Sequence, residues 1–98
     1  MAEKITSVQN QKIKNILKLQ QKSSERKKQN LIVIEGLREI ELARQSGMQL
    51  KNIYFCSEII SENEVINRFE FISSIFDISI EIYRKLAYRG STEGVIAL

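Results

Sequence analysis

The chain of 98 residues has the length of one small domain. With 43% hydrophobic and 28% charged residues, it can bury a core and does not have the composition of a disordered segment. It contains no histidine and one cysteine, Cys56, which excludes an internal disulfide and a histidine-dependent triad and makes a zinc site unfavourable. It lacks both a secretory signal and an apolar run of the ~20 residues that are needed to cross a bilayer. We therefore expect a cytoplasmic protein with a buried, free thiol.

Charge is distributed unevenly along the sequence. Residues 1–30 contain eight lysines and arginines against two glutamates, residues 31–82 contain four basic and nine acidic side chains, and residues 83–98 are again basic. A basic terminal third beside an acidic middle region favours a polyanion partner such as nucleic acid. A solvated helix surface would produce the same pattern, so charge alone leaves both interpretations open.

The N-terminal third predicts a helix and a polar connection. Thr6 or Ser7 can accept a hydrogen bond from first-turn amides, and apolar residues recur at helical spacing over about 8–21. The polar run 23–30 breaks this period, so we expect a connection there with room for about one helical turn.

Beyond residue 30, short apolar runs alternate with helical periodicity. Strands are predicted at 31–34, 52–56, 73–78 and 94–98, and helices at about 37–46, from Ser57 or Ser61 to 69, and at 80–87 after Ser79. The first strand is apolar enough to be buried on both faces. The helix after it is expected to bury Leu37, Ile40, Leu42 and Ala43 and to end at a left-handed Gly47. This alternation predicts an α/β fold with a mainly parallel sheet.

Two stretches contain candidate functional residues. A carboxylate at the exit of a buried strand, Glu35, needs a partner because a desolvated lone charge is unfavourable, and Arg26 or Arg38 could supply it. Gly36 allows a positive φ or a close backbone approach. A salt bridge that only fixes the strand-to-helix turn would explain the same residues, so both interpretations stay open.

The second stretch is the loop Tyr88–Gly94, which combines an aromatic ring, the Arg89 guanidinium, two hydroxyls and two glycines. Such a loop can stack on a base and bind a phosphate, although a tight connection rich in turn-forming residues fits equally well. The chain contains no catalytic constellation and no glycine-rich phosphate-binding motif.

Several short motifs occur in a recognisable order and spacing. They are Ile5-x-Ser7-x-x-Asn10-x-x-Ile13-Lys14, Leu19, Arg26, Glu35-Gly36-x-Arg38, the helix up to Gly47, Lys85-Leu86-Ala87 and Thr92-Glu93-Gly94-Val95-Ile96-Ala97. In this order they resemble the N-terminal substrate-binding domain of the SpoU (TrmH-type) RNA 2′-O-ribose methyltransferases.

The resemblance implies a small three-layer α/β domain, similar to the ribosomal proteins that bind kink-turns. Such a domain binds rRNA or tRNA and positions it for a knotted domain that binds S-adenosylmethionine, transfers the methyl group and forms a homodimer. The motifs of the knotted domain do not occur in these 98 residues. Residues 1–98 are therefore expected to form the RNA-binding domain alone, ending at a domain boundary, without catalytic activity or a cofactor of their own.

The resemblance also implies a set of RNA-binding residues. Phosphates would be held by lysines and an arginine of the N-terminal third, namely Lys14, Lys18, Arg26, Lys27 and Lys28. Glu35, Gly36, Arg38, Tyr88 and Arg89 would shape the pocket.

Two further functions remain open on the sequence. One is a free-standing structural RNA-binding protein of the kink-turn-recognising type. The other is a protein–protein adaptor that uses the acidic middle region as its contact surface.

Overall fold

The computed structural model describes residues 3–69, 72, 74–87 and 94–97. These residues form the following elements in chain order: β1 (Glu3–Ile5), α1 (Gln11–Gln21), α2 (Ser23–Gln29), β2 (Ile34–Glu35), α3 (Leu37–Gln45), β3 (Ile53–Phe55), α4 (Glu62–Arg68), β4 (Ile75–Ile78), α5 (Ile80–Leu86) and β5 (Val95–Ala97). The α/β class expected from the sequence is confirmed. Among the helices described, none combines the length and hydropathy needed to cross a bilayer.

The strands form one sheet in the order β1-β4-β3-β5-β2. β1, β4 and β3 run parallel, as the sequence predicts, whereas β5 is antiparallel to both β3 and β2. Because β5 reverses direction, β2 runs the same way as β3. The carboxyl ends of β1 to β4 therefore lie together along one side of the sheet, which we call the carboxyl edge. Their amino ends lie along the opposite side, which we call the amino edge.

Alternate side chains of β3 separate the core into two clusters. Tyr54 and Cys56 pack with α1 and α5, whereas Ile53 and Phe55 pack with α3 and α4. Successive side chains of a strand lie on opposite faces, so each face of the sheet is covered by its own layer of helices. The result is the expected three-layer arrangement, with α2 packed against α1.

The N-terminal segment differs from the sequence prediction. The residues expected to begin the first helix are preceded by β1, which pairs with β4, and α1 starts only at Gln11. Asn10 caps it in place of Thr6 or Ser7, because the Asn10 Oδ1 accepts a hydrogen bond from the Lys12 amide at 2.8 Å. The expected polar connection is instead the two-turn helix α2.

The prediction of a strand buried on both faces over Leu31–Ile34 is wrong. Pairing begins only at Ile34, and the side chain of Ile32 is 42% exposed. The physical reason is the sheet order, since β2 is an edge strand with β5 as its neighbour. Leu31 and Val33 pack against the first core cluster before the pairing starts.

The prediction that Leu42 is buried is also wrong, because its side chain is 55% exposed. Only one side of α3 contacts the sheet, and this side holds the fully buried Ile40. At 3.6 residues per turn, a residue two positions further on lies on nearly the opposite side of a helix.

Other local expectations are confirmed. Ser61 and Ser79 cap α4 and α5 by accepting hydrogen bonds from the amides three residues further on, at 3.2 and 3.3 Å. Cys56 is a buried free thiol, and burial raises its pKa. A buried thiol with a raised pKa is unreactive, which suits a role in packing.

Gly47 and Gly94, two of the described glycines with positive φ, have different surroundings. Gly47 follows α3 with φ +99°, and a Cβ added there would meet no described atom within 4 Å. Gly94 precedes β5 with φ +82°, and its amide donates to the Tyr83 hydroxyl at 2.9 Å. A Cβ on Gly94 would lie 2.9 Å from the Cβ of Ile59. A side chain introduced at either position would therefore strain the backbone, whereas only at Gly94 would it also overlap a neighbouring side chain.

The substitutions Gly47→Ala and Gly94→Ala separate these two effects. We expect Gly47→Ala to lower the free energy of unfolding by about 1–2 kcal/mol through left-handed strain. Gly94→Ala should lower it by a further ~1–3 kcal/mol because the new methyl group overlaps Ile59. Urea unfolding followed by circular dichroism measures both values, and equal losses would show that the contact at Gly94 is not tight.

Candidate functional site

Exposed lysines of α1 and α2 include four that the sequence analysis proposed as phosphate-binding residues, and we call these four the cationic surface: Lys14, Lys18, Lys27 and Lys28. Lysines of both helices act on one carboxylate, Glu25. A hydrogen bond from Gln29 has the largest effect and lowers the pKa of Glu25. Desolvation opposes this effect, and the positive charges of Lys28, Lys18 and Lys22 lower the pKa further. Lys18 of α1 and Lys28 of α2 therefore lie close enough to act on the same carboxylate.

The angle between α1 and α2 is set by a pair of side-chain amides. The chain leaves the helical conformation at Lys22, which separates the two helices. Asn15 donates to Gln29 at 2.9 Å, and Gln29 donates back to Asn15 at 2.8 Å. Gln29 also donates to Glu25 at 3.0 Å. These bonds hold α2 against α1 and thereby fix where its lysines lie.

Arg26 has a structural contact that the sequence did not predict. Its Nη1 donates to the carbonyl oxygens of Leu19 and Gln20 at 2.6 and 3.4 Å. The last carbonyls of a helix lack intrahelical partners and carry the negative end of the helix dipole, so a guanidinium stabilises them. The Arg26 guanidinium is thus bound to the end of α1, and the pairing of Glu35 with Arg26 or Arg38 stays a prediction.

The residues Glu35, Gly36 and Arg38 lie at the carboxyl edge. Glu35 ends β2 and is half-buried, Gly36 is buried with φ +95°, as the sequence led us to expect, and Arg38 is exposed in the first turn of α3. Because α3 covers one face of the sheet and α1 and α2 the other, the stretch from Arg26 to Arg38 is divided between two helical layers. What looks like one motif in the sequence forms two separate surfaces.

Tyr88 and Arg89 lie outside the described residues. The chain re-enters the described fold at Gly94, whose carbonyl accepts from the Cys56 amide at 2.8 Å. Val95 pairs with Phe55, the last residue of β3, so this point lies at the carboxyl edge. Gly94 thus lies at the same edge of the sheet as Gly36.

Sequence reasoning missed a cluster at the other edge. The Lys12 Nζ lies 5.4 Å from the centre of the Phe76 ring, which stacks on Tyr54 with 5.2 Å between centres. Burial raises the pKa of Tyr54 to about 12, against the opposing effect of a hydrogen bond with Asn52. These residues belong to elements far apart in the chain, so spacing gave no signal. The described residues include no cluster of His, Cys, Asp and Glu that could hold a metal.

A family model for MRM3-like substrate-binding domains matches residues 10–97. The chain belongs to this family. The match confirms the resemblance to substrate-binding domains of SpoU-type RNA methyltransferases, and it extends from the cap of α1 to the end of β5.

Solved structures of RNA methyltransferases are similar to this MRM3-like domain. A crystal structure of an RNA 2′-O ribose methyltransferase shares 30% identity with a TM-score of 0.79, over 96% of this chain and 36% of that one. An rRNA methyltransferase from Sinorhizobium meliloti shares 16% identity with a TM-score of 0.75, over 98% and 36%. The SpoU methyltransferase AviRb from Streptomyces viridochromogenes, solved with AdoMet, shares 15% identity with a TM-score of 0.76, over 91% and 34%.

The MRM3-like domain thus spans about a third of the length of each solved methyltransferase. The two matches with 16% and 15% identity establish the fold only. A comparison with curated protein sequences finds no match.

The contact of Arg26 predicts that it stabilises the fold more than its neighbour does. Arg26→Ala removes a half-buried, charged hydrogen bond and should lower the free energy of unfolding by about 1.5–3 kcal/mol. Lys27→Ala, one position on and exposed, should change it by no more than about 0.5 kcal/mol. Urea unfolding compares the two variants, and similar small losses would assign Arg26 to the solvent-exposed cations.

Proposed function

We propose that this domain binds structured rRNA or tRNA and positions a ribose for a methyltransferase domain elsewhere in the same protein. Membership of a substrate-binding domain family supports the binding role. The similar solved chains are RNA methyltransferases of which this domain spans about a third, which supports a catalytic partner in the same protein. The observation on which the proposal rests is the cationic surface.

The cationic surface suits a phosphate backbone. Its lysines, Lys14, Lys18, Lys27 and Lys28, are exposed and extend from two helices whose relative position is fixed by the Asn15–Gln29 pair. Lysine binds phosphate as a mobile point charge and gives affinity without selecting a sequence. The surface would therefore hold and orient the RNA, while selection of the nucleotide would occur elsewhere.

The carboxyl edge is the place where we propose that the modified nucleotide is presented. Arg38 and Gly36 lie there, and so does Gly94, which follows Tyr88 and Arg89 in the sequence. An arginine beside a buried glycine would let a base or phosphate approach the backbone closely, and we propose that Tyr88 and Arg89 add an aromatic ring and a second guanidinium to this contact. In this proposal Arg26 supports the cationic surface by fixing α2 to α1.

S-adenosylmethionine, the methyl donor of the proposed reaction, does not fit the residues of this chain. The four glycines, Gly36, Gly47, Gly90 and Gly94, are dispersed and form no glycine-rich nucleotide turn. We therefore assign binding of the methyl donor and the methyl transfer to the proposed methyltransferase domain. We also propose that this domain forms the homodimer and that the whole protein is cytoplasmic. No catalytic step is assigned to residues 1–98.

Fluorescence anisotropy with a labelled RNA hairpin tests the cationic surface. If four lysines each contact one phosphate, a plot of the logarithm of the affinity against the logarithm of the salt concentration should have a slope of about −3.6. The double variant Lys27→Gln, Lys28→Gln should reduce the slope to about −1.8 because it removes two contacts.

The double variant Arg44→Gln, Arg68→Gln provides the matched control. It removes the same charge from α3 and α4, on the other side of the sheet, and should give the same slope as the unaltered chain. An equal reduction in both double variants would show that only net charge matters. Affinity that does not depend on salt would contradict the proposal.

A further inference from the structure

A groove of about 390 Å³ opens at the amino edge of the sheet. It lies between the first turns of α1 and the residues that precede β3 and β4, at the edge opposite to Glu35 and Gly36. Its volume falls in the range of about 300–1,000 Å³ that is typical of sites for small ligands. We call it the amino-edge groove.

The floor of the amino-edge groove is aromatic. Tyr54 and Phe76 stack with 5.2 Å between ring centres and 22° between planes. Tyr54 is 1% exposed and Phe76 is 9% exposed, so Phe76 is the more accessible ring. The Lys12 ammonium lies 5.4 Å from the centre of the Phe76 ring. Because Lys12 is itself exposed, a side chain that faces solvent covers the Phe76 ring.

The walls of the amino-edge groove are cationic and polar. Lys12 and Lys51 contribute two positive charges, and none of the side chains that line the groove is acidic. Gln11 and Asn52 contribute amides, each with donors and an acceptor. An aromatic floor, amides and lysines together match the three parts of a nucleotide, namely the flat base, its polar edge and the phosphate.

We propose that the amino-edge groove binds one unstacked nucleotide of a single-stranded RNA segment. The base takes the place of the Lys12 ammonium over Phe76, its edge meets Asn52, and its phosphate lies beside Lys12 and Lys51. Stacking of a base on an aromatic ring is stronger than an exposed cation–π contact, so this exchange is favourable. The inference rests on the proposed RNA-binding function and adds to it a contact with a base.

Nuclear magnetic resonance of the chain with a single-stranded hexaribonucleotide tests this proposal, with inorganic tripolyphosphate as the probe for charge alone. The ring signals of Phe76 should shift with the hexaribonucleotide and not with tripolyphosphate. Equal shifts with both probes would mean that the groove binds phosphate only, which overturns the proposal. Shifts confined to amides of α1 and α2 would overturn the groove but leave the proposed function intact. No shifts with the hexaribonucleotide at low salt would overturn both.

A pair of matched variants tests the role of the ring. Phe76→Leu keeps an apolar side chain but removes the stacking surface, and it should weaken hexaribonucleotide binding about 5- to 100-fold. Phe69→Leu makes the same change in the other core cluster and should leave binding unchanged. Equal losses in the two variants would overturn the proposal.

A surface variant avoids any loss of folding. Lys51→Gln should reduce the salt dependence of hexaribonucleotide binding by about 0.7 in slope, which is one phosphate contact to a single strand. The control Arg68→Gln removes an equal charge from α4 and should not change the slope. An unchanged slope in Lys51→Gln would contradict the proposed contact between Lys51 and the phosphate.

Discussion

The pairing of β3 with β4 on one side and with β5 on the other is the constraint on which the rest of the fold depends. It places Ile53 and Phe55 on one face of the sheet and Tyr54 on the other, and a different set of helices packs against each face. A slip of one residue in this register would exchange the two faces. The antiparallel pairing of β5 with β3 also places the start of β5 at the carboxyl edge.

The two helical layers differ in charge as well as in position. The layer that contains α1 and α2 is basic, whereas α4 and the turn before it are rich in glutamate. The sheet separates them, so a polyanion can approach the basic layer without meeting the acidic one. Arg26 and the Asn15–Gln29 pair turn this layer from two linked helices into one surface of fixed shape.

The sequence predicted those features that depend on local patterns. The serine caps, the left-handed Gly47 and the apolar strand β3 follow from the chemistry of neighbouring residues. Features set by distant partners were not predictable. The edge position of β2 depends on its pairing with β5, and the contact of Arg26 depends on the carbonyls of α1. Of the candidate site, the lysines were proposed from the resemblance and the uneven charge, whereas the groove at Phe76 is lined by segments that lie far apart in the chain.

Lysine footprinting tests most directly whether the layer formed by α1 and α2 binds RNA. The chain is acetylated with and without an RNA hairpin, and the reactivity of each lysine is measured by mass spectrometry. RNA should protect Lys14, Lys18, Lys27 and Lys28. Lys4 pairs with Asp77 at 3.4 Å on the other face of the sheet and should remain reactive. Protection of Lys4 with continued reactivity of the four lysines would contradict it.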